Sequence, residues 1–202
     1  EDVDSIAVLA KKKGKAVGIV TSVSLDDATP AVFYAHADSR KETTNILEQA
    51  FASTDYDVLM GGGVMCRGWN DGKLCSQSED AGLFYINPSN LATVTPAMTD
   101  GKRVFGYFDA NGNYLLNSMD KRKAGDKEPR LCEITCKAME ILLSRSTNGF
   151  FMMVEGGAID KYAHSNLTAA VITEVLEFDK TISDIVAFLK EKDLYERTLI
   201  IV

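Results

Sequence analysis

Three short apolar runs set the fold. Ala16–Val23, Asp57–Met60 and Phe150–Val154 are too short for buried helices and rich in Val, Ile, Phe and Met, so each reads as a strand. Segments whose apolar residues recur at helical spacing lie around and between them. The shorter ones carry Ile6, Leu9 and Ala10, then Ile46, Leu47 and Ala50, then Leu131, Ile134, Ala138, Ile141 and Leu142. A long stripe follows, from Leu167 and Val171 through Val175, Phe178, Ile182 and Ile185 to Leu189, and predicts a helix covering the sheet. Strands alternating with helices predict an α/β fold with a largely parallel central sheet and helices on both faces. Leu199–Val202 reads as one more strand. It stops without a turn, and the chain opens on Glu1-Asp2-Val3 rather than Met, so the expectation is a chain truncated at both ends.

Regular pattern is strongest at the two ends. The expected division is a first part of an α/β core over 1–63, an insertion or surface subdomain over 64–128, and the second part of the core over 129–202. Within the middle stretch, Asp109-Ala-Asn-Gly-Asn113 has the look of a calcium loop. Its glycine falls too early for that turn, and a β-hairpin joining Arg103–Phe108 to Tyr114–Leu116 is the better reading. Arg67–Leu74 reads as a polar loop between Cys66 and Cys75. The four cysteines leave the redox compartment open: a small disulfide joining Cys66 and Cys75 is one option, and their spacing is poor for a zinc finger. A net charge of −7 excludes nucleic acid as a partner, because a phosphate backbone is held by excess Lys and Arg. No apolar run approaches the roughly 20 residues that span a bilayer, so no transmembrane segment is expected.

The chemistry collects where strands end. Phe150–Val154 runs abruptly into Glu155-Gly156-Gly157-Ala158-Ile159-Asp160-Lys161-Tyr162-Ala163-His164. Ligand sites of open α/β sheets lie at the carboxyl ends of such strands. Asp160 and His164 are spaced to share one face of a helical turn, where a carboxylate and an imidazole can both reach a zinc ion; the plain alternative is a helix-start acid. Ala16–Val23 leads likewise into Leu25-Asp26-Asp27-Ala28-Thr29-Pro30, where Thr29 is the expected helix cap with Pro30 at the first helical position. Arg40 falls about three helical turns further on. His36 is expected inside that helix, packing or bonding locally, and Gly61–Gly63 as a tight turn.

Three segments carry a family resemblance: VGIVTSVSLDDATPAVFYAHADSR over 17–40, Pro129–Thr135 leading into a helix, and the stretch from Gly149 to Asp179 with VEGGAID, KYAH and EFDK. In order and spacing they resemble the alkaline phosphatases, with the bacterial magnesium-type pattern of Asp27 and Lys161. The resemblance implies hydrolysis of phosphate monoesters through a phosphoserine, with two zinc ions and one magnesium ion. It implies Thr29 and Glu155 as magnesium ligands, Asp27 on magnesium-bound water, and Asp160 and His164 as ligands of one zinc. It implies Arg40 forking onto phosphate and Lys161 reaching phosphate through water. A periplasmic or secreted homodimer and a Cys66–Cys75 bridge are implied as well. The family's serine nucleophile and the ligands of its second zinc match nothing within 1–202; Asp4-Ser5 sits too close to the first strand and reads as a helix start. The chain alone is therefore expected to be inactive. Another member of the metal-dependent phosphatase and sulfatase superfamily, such as a phosphodiesterase, and a non-catalytic folded module are the alternatives.

Overall fold

Five parallel strands lie in the order β3-β4-β2-β1-β5 in the computed structural model, which describes residues 3–109, 126 and 128–202. They are β1 Ala16–Thr21, β2 Val58–Gly61, β3 Phe84–Ile86, β4 Val104–Tyr107 and β5 Phe150–Glu155. The helices are α1 Ile6–Lys12, α2 Ala28–Ala31, α3 Thr43–Ala52, α4 Asp71–Asp80, α5 Leu131–Arg145, α6 Ala158–His164 and α7 Thr168–Glu191. Residues of β1 alternate between two cores, as a strand covered on both faces requires. Val17 and Ile19 pack with Ala7 of α1, Leu47 of α3 and Leu74 of α4. Ala16 and Val20 face the other way, onto Ile134, Ala138 and Ile141 of α5. Parallel strands with helices on both faces are the architecture the alternating pattern predicts.

The register comes from the apolar pattern together with a few polar anchors. Asp57, just before β2, accepts from the Val17 amide at 2.7 Å and pairs with Lys11 at 3.0 Å, tying α1, β1 and β2 at one end. Ser5 caps α1, accepting from the Val8 amide and donating to the Phe33 carbonyl, so the helix-start reading of Asp4-Ser5 holds. β3 and β4, both from the stretch read as an insertion, extend the same sheet. The hairpin expected beyond Phe108 lies outside the described residues. Arg67–Leu74 is not all loop: Asn70 accepts from the Lys73 amide at 3.0 Å and starts α4 at Asp71.

Three expectations fail for physical reasons. The helix after Pro30 ends at Ala31, so His36 lies outside it, its backbone held on both sides by the Gln49 amide. There Tyr34 turns inward, donates to the Leu25 carbonyl at 2.7 Å and packs edge-on to Tyr56. Burying the aromatics wins over prolonging the helix. The stripe on α7 reaches the sheet's core mainly through Phe178 and covers little else of it. This helix packs on α5 and α6 and buries Glu174, Glu177 and Thr181, leaving Leu167 and Val175 exposed. Arg130 donates through Nε, at 2.9 Å, and Nη2 to a single oxygen of Glu177, giving that buried carboxylate a cationic partner. Leu199–Val202 forms no strand: it is exposed, with no described strand beside it to complete a ladder.

Candidate active site

β1 and β5 are neighbours, and Thr21 pairs in register with Glu155. Both strands therefore deliver their following residues to one edge of the sheet. From β1 come Ser22 to Thr29; from β5 come Glu155 and, two glycines later, α6. Gly157 permits the approach, since a Cβ there would lie 2.7 Å from Val23 and 3.0 Å from the Glu155 carboxyl carbon. Ser22 accepts from the Ala158 amide at 3.1 Å, so the first turn of α6 is fastened to β1.

The two adjacent acids divide their work. Asp26 is fully buried and accepts from the Met65 and Cys66 amides at 2.7 and 2.8 Å, holding the loop after β2. Burial raises its pKa despite those bonds. Asp27 caps α2 through the Ala28 amide at 2.8 Å; the cap is thus Asp27 and not Thr29. Each of its oxygens also meets a cation: Arg40 at Oδ1 and Lys161 at Oδ2, both at 2.5 Å. Burial alone would raise Asp27, but Lys161, the Ala28 amide and Arg40 together outweigh it and leave its pKa below the ordinary 3.8. Arg40 reaches this point from the turn before α3 and not along a continuous helix.

Glu155 faces the same cluster from β5. Thr21 donates to its Oε2 at 2.6 Å, and the Thr29 hydroxyl bonds it as well. Burial dominates here and raises its pKa, opposed by the two threonines. Asp27, Thr29, Arg40, Glu155 and Lys161, far apart in sequence, are therefore brought together. Asp160 and His164 also meet, Nε2 to Oδ1 at 3.4 Å, one turn apart on α6. Their side chains are 67% and 80% exposed, and no third His, Cys, Asp or Glu completes a metal cluster among the described residues. All four cysteines are free thiols, with Cys66 3.1 Å from the Thr44 hydroxyl, so the Cys66–Cys75 bridge is absent.

Residue-type reasoning passed over Thr21 and Ser22. The doubled acid marked Asp26 as a candidate without dividing the roles. The two hydroxyls had a signal as well: polar residues ending an apolar strand point at its carboxyl edge.

A parallel sheet with acids and cations at its carboxyl edge defines an α/β protein with a charged site. The alkaline phosphatase family model matches residues 1–202, and the chain belongs to that family. It is 32% identical over 196 residues to alkaline phosphatase 4 of Bacillus subtilis, covering 94% of this chain and 40% of that protein. The cold-active alkaline phosphatase of the psychrophile Shewanella sp. superposes with a TM-score of 0.77 at 27% identity, over 95% of this chain and 44% of that one. A mutant TAB5 alkaline phosphatase with Mg bound in its M3 site gives 0.75 at 27% identity, over 95% and 53%. The chain thus spans about half, or less, of the length of these relatives. Among the described residues no helix is long and apolar enough to cross a membrane.

Proposed function

We propose that this chain carries the magnesium- and phosphate-contacting part of a phosphomonoesterase site. The observation that carries the reading is the convergence of Asp27, Thr29, Arg40, Glu155 and Lys161 at the ends of β1 and β5. The donor set fits magnesium: Glu155 and Thr29 offer only oxygen, already within hydrogen-bonding reach of each other, and hard cations take oxygen ligands. Asp160 and His164 fit zinc by type, but they are two donors where a catalytic zinc takes three. Bound divalent metal would supply charge to stabilise developing oxyanions and to acidify bound water. The protein's own part is to place charge. Arg40 presents a planar fork suited to two phosphate oxygens. Asp27 holds Arg40 and Lys161 side by side, so phosphate would meet both cations in one place. Ser22 and Ser24, just beyond β1, are 2% and 1% exposed and closed to substrate. With neither of these two serines accessible, residues 1–202 alone lack turnover in this reading.

The test uses two variants of the longest natural form of the protein. Arg40→Ala should raise the phosphate dissociation constant while leaving metal content intact, because guanidinium is no ligand. Glu155→Ala should instead lower magnesium content. The opposite pattern in elemental analysis and phosphate calorimetry would overturn both assignments.

Homodimer formation belongs to the same reading, supported by the exposed apolar residues Ile172, Val175 and Leu176 on α7. Sedimentation at micromolar concentration should give a dimer burying more than about 1,000 Å²; a monomer would count against it.

A further inference from the structure

Two buried hydroxyls stand at the end of β1, and the reading above gives neither of them a ligand. Thr21 is wholly enclosed, and its oxygen makes two bonds: the Val23 amide donates to Oγ1 at 3.1 Å, and Oγ1 lies 2.6 Å from Glu155 Oε2. A threonine hydroxyl has one proton and two acceptor lone pairs. With a lone pair engaged by Val23, the proton is directed at the carboxylate. The methyl is fixed too. A Cβ on Gly61 would stand 2.9 Å from Thr21 Cγ2, so only a glycine across the sheet leaves room for this rotamer. The neighbouring main chain is fastened by the Ser22 amide, which donates to the Glu155 carbonyl at 3.0 Å. Glu155 is thus held at its backbone and at one carboxylate oxygen by the consecutive residues Ser22 and Thr21 at the end of β1.

We propose that Thr21 is a positioning residue whose hydroxyl holds the Glu155 carboxylate in the orientation from which it ligates magnesium. The inference rests on the magnesium reading above and deepens it. Hydrogen bonds from outer residues orient metal-ligating carboxylates, and removing such a partner costs about 10- to 100-fold in metal affinity. Thr21 itself touches no ligand. Its effect passes entirely through Glu155, and Thr29 alone would leave the carboxylate free to swing.

The experiment titrates magnesium ion alone into the full 202-residue chain and follows the backbone amide resonances of Thr29, Glu155 and Gly156. Thr21→Val keeps the shape and removes the hydroxyl; Thr21→Ser keeps the hydroxyl and removes the methyl. Thr21→Val should need about tenfold more magnesium, and Thr21→Ser should stay within about twofold of the wild type. Equal midpoints for wild type and Thr21→Val would overturn the proposal, since a residue that merely fills space would change stability and leave the midpoint alone. Absence of any saturable shift in the wild type would instead overturn the magnesium reading. The metal-free chain then decides the positioning: Thr21→Val must move the Glu155 side-chain carboxyl carbon resonance while Thr21→Ser does not, and an unmoved resonance sinks it. Should Thr21→Val fail to fold, Thr21→Ala is the second hydroxyl-free variant for both measurements.

Discussion

The two ends of the candidate site are built to different standards. At one end, Asp27 and Glu155 are mostly enclosed: Thr21 of β1 holds Glu155, and Asp27 caps α2 while pairing with Lys161 and the more exposed Arg40. At the other, Asp160 and His164 stand on a short surface helix with most of their side-chain area in solvent. The first end has its geometry before any ligand arrives. The second presents Asp160 and His164 one turn apart on a helix whose first turn is fastened, but both side chains lie mostly in solvent. Preorganisation here follows burial: β1 is buried along its whole length, and Glu155 is held where β5 pairs with it, while α6 beyond β5 turns Asp160 and His164 into solvent. Substitutions at the two ends should therefore read out differently.

The largest effects are expected at Asp27. Asp27→Ala removes a helix cap and leaves Lys161 and Arg40 without their shared counter-charge. Because both cations retain solvent contact, the loss should be about 1–3 kcal/mol in urea unfolding at neutral pH, below that for a fully buried pair. Glu155→Gln should go the other way, neutral or stabilising by up to about 1 kcal/mol, because the amide oxygen still accepts from Thr21 and a desolvated charge is gone. The pH dependence separates the two carboxylates. Asp27 has a depressed folded pKa, so its contribution is fully present above 3.8 and is lost as pH falls through the folded value. Glu155 has a raised folded pKa, so stability falls as pH climbs from 4.5 through the folded value. Asp27→Asn should flatten the acid limb of the stability curve below about pH 4, and Glu155→Gln should flatten the decline above it. Identical curves for both variants would show that the two carboxylates do not differ as described.

The same contrast marks what was legible in the sequence. Strand identity and helix spacing were readable at β1, α3, α5 and β5, because apolar period alone decides them when a segment is covered on at least one side. The Asp27–Glu155 end was readable only through family motifs, since Asp26 and Asp27 are the same residue type one position apart. What divides them is which amides lie opposite: Met65 and Cys66 face Asp26, and Ala28 faces Asp27. That is a tertiary fact. The helix after Pro30 was misjudged because propensity cannot weigh the burial of Tyr34 against three more turns. α7 was misjudged because its apolar stripe is genuine while the helix packs mainly on α5 and α6, where Glu177 meets Arg130. Leu199–Val202 has strand composition, but a strand exists only with a neighbour.

The smallest effects are expected at Asp160 and His164, and they test the comparison from its weaker side. An exposed ion pair across one helical turn contributes about 0–1 kcal/mol and is screened by salt. Asp160→Ala and His164→Ala should each change unfolding stability by no more than about 0.5 kcal/mol. Zinc is the sharper probe. With two side-chain donors the chain should bind it weakly, and dialysis against a mild chelator should leave it well below one equivalent. Stoichiometric, chelator-resistant zinc lost in both His164→Ala and Asp160→Ala would mean that further donors come to this pair in solution. The contrast between a preformed oxygen site and an unfinished nitrogen–oxygen pair would then fail at its second term, while the Asp27–Glu155 end would stand unchanged.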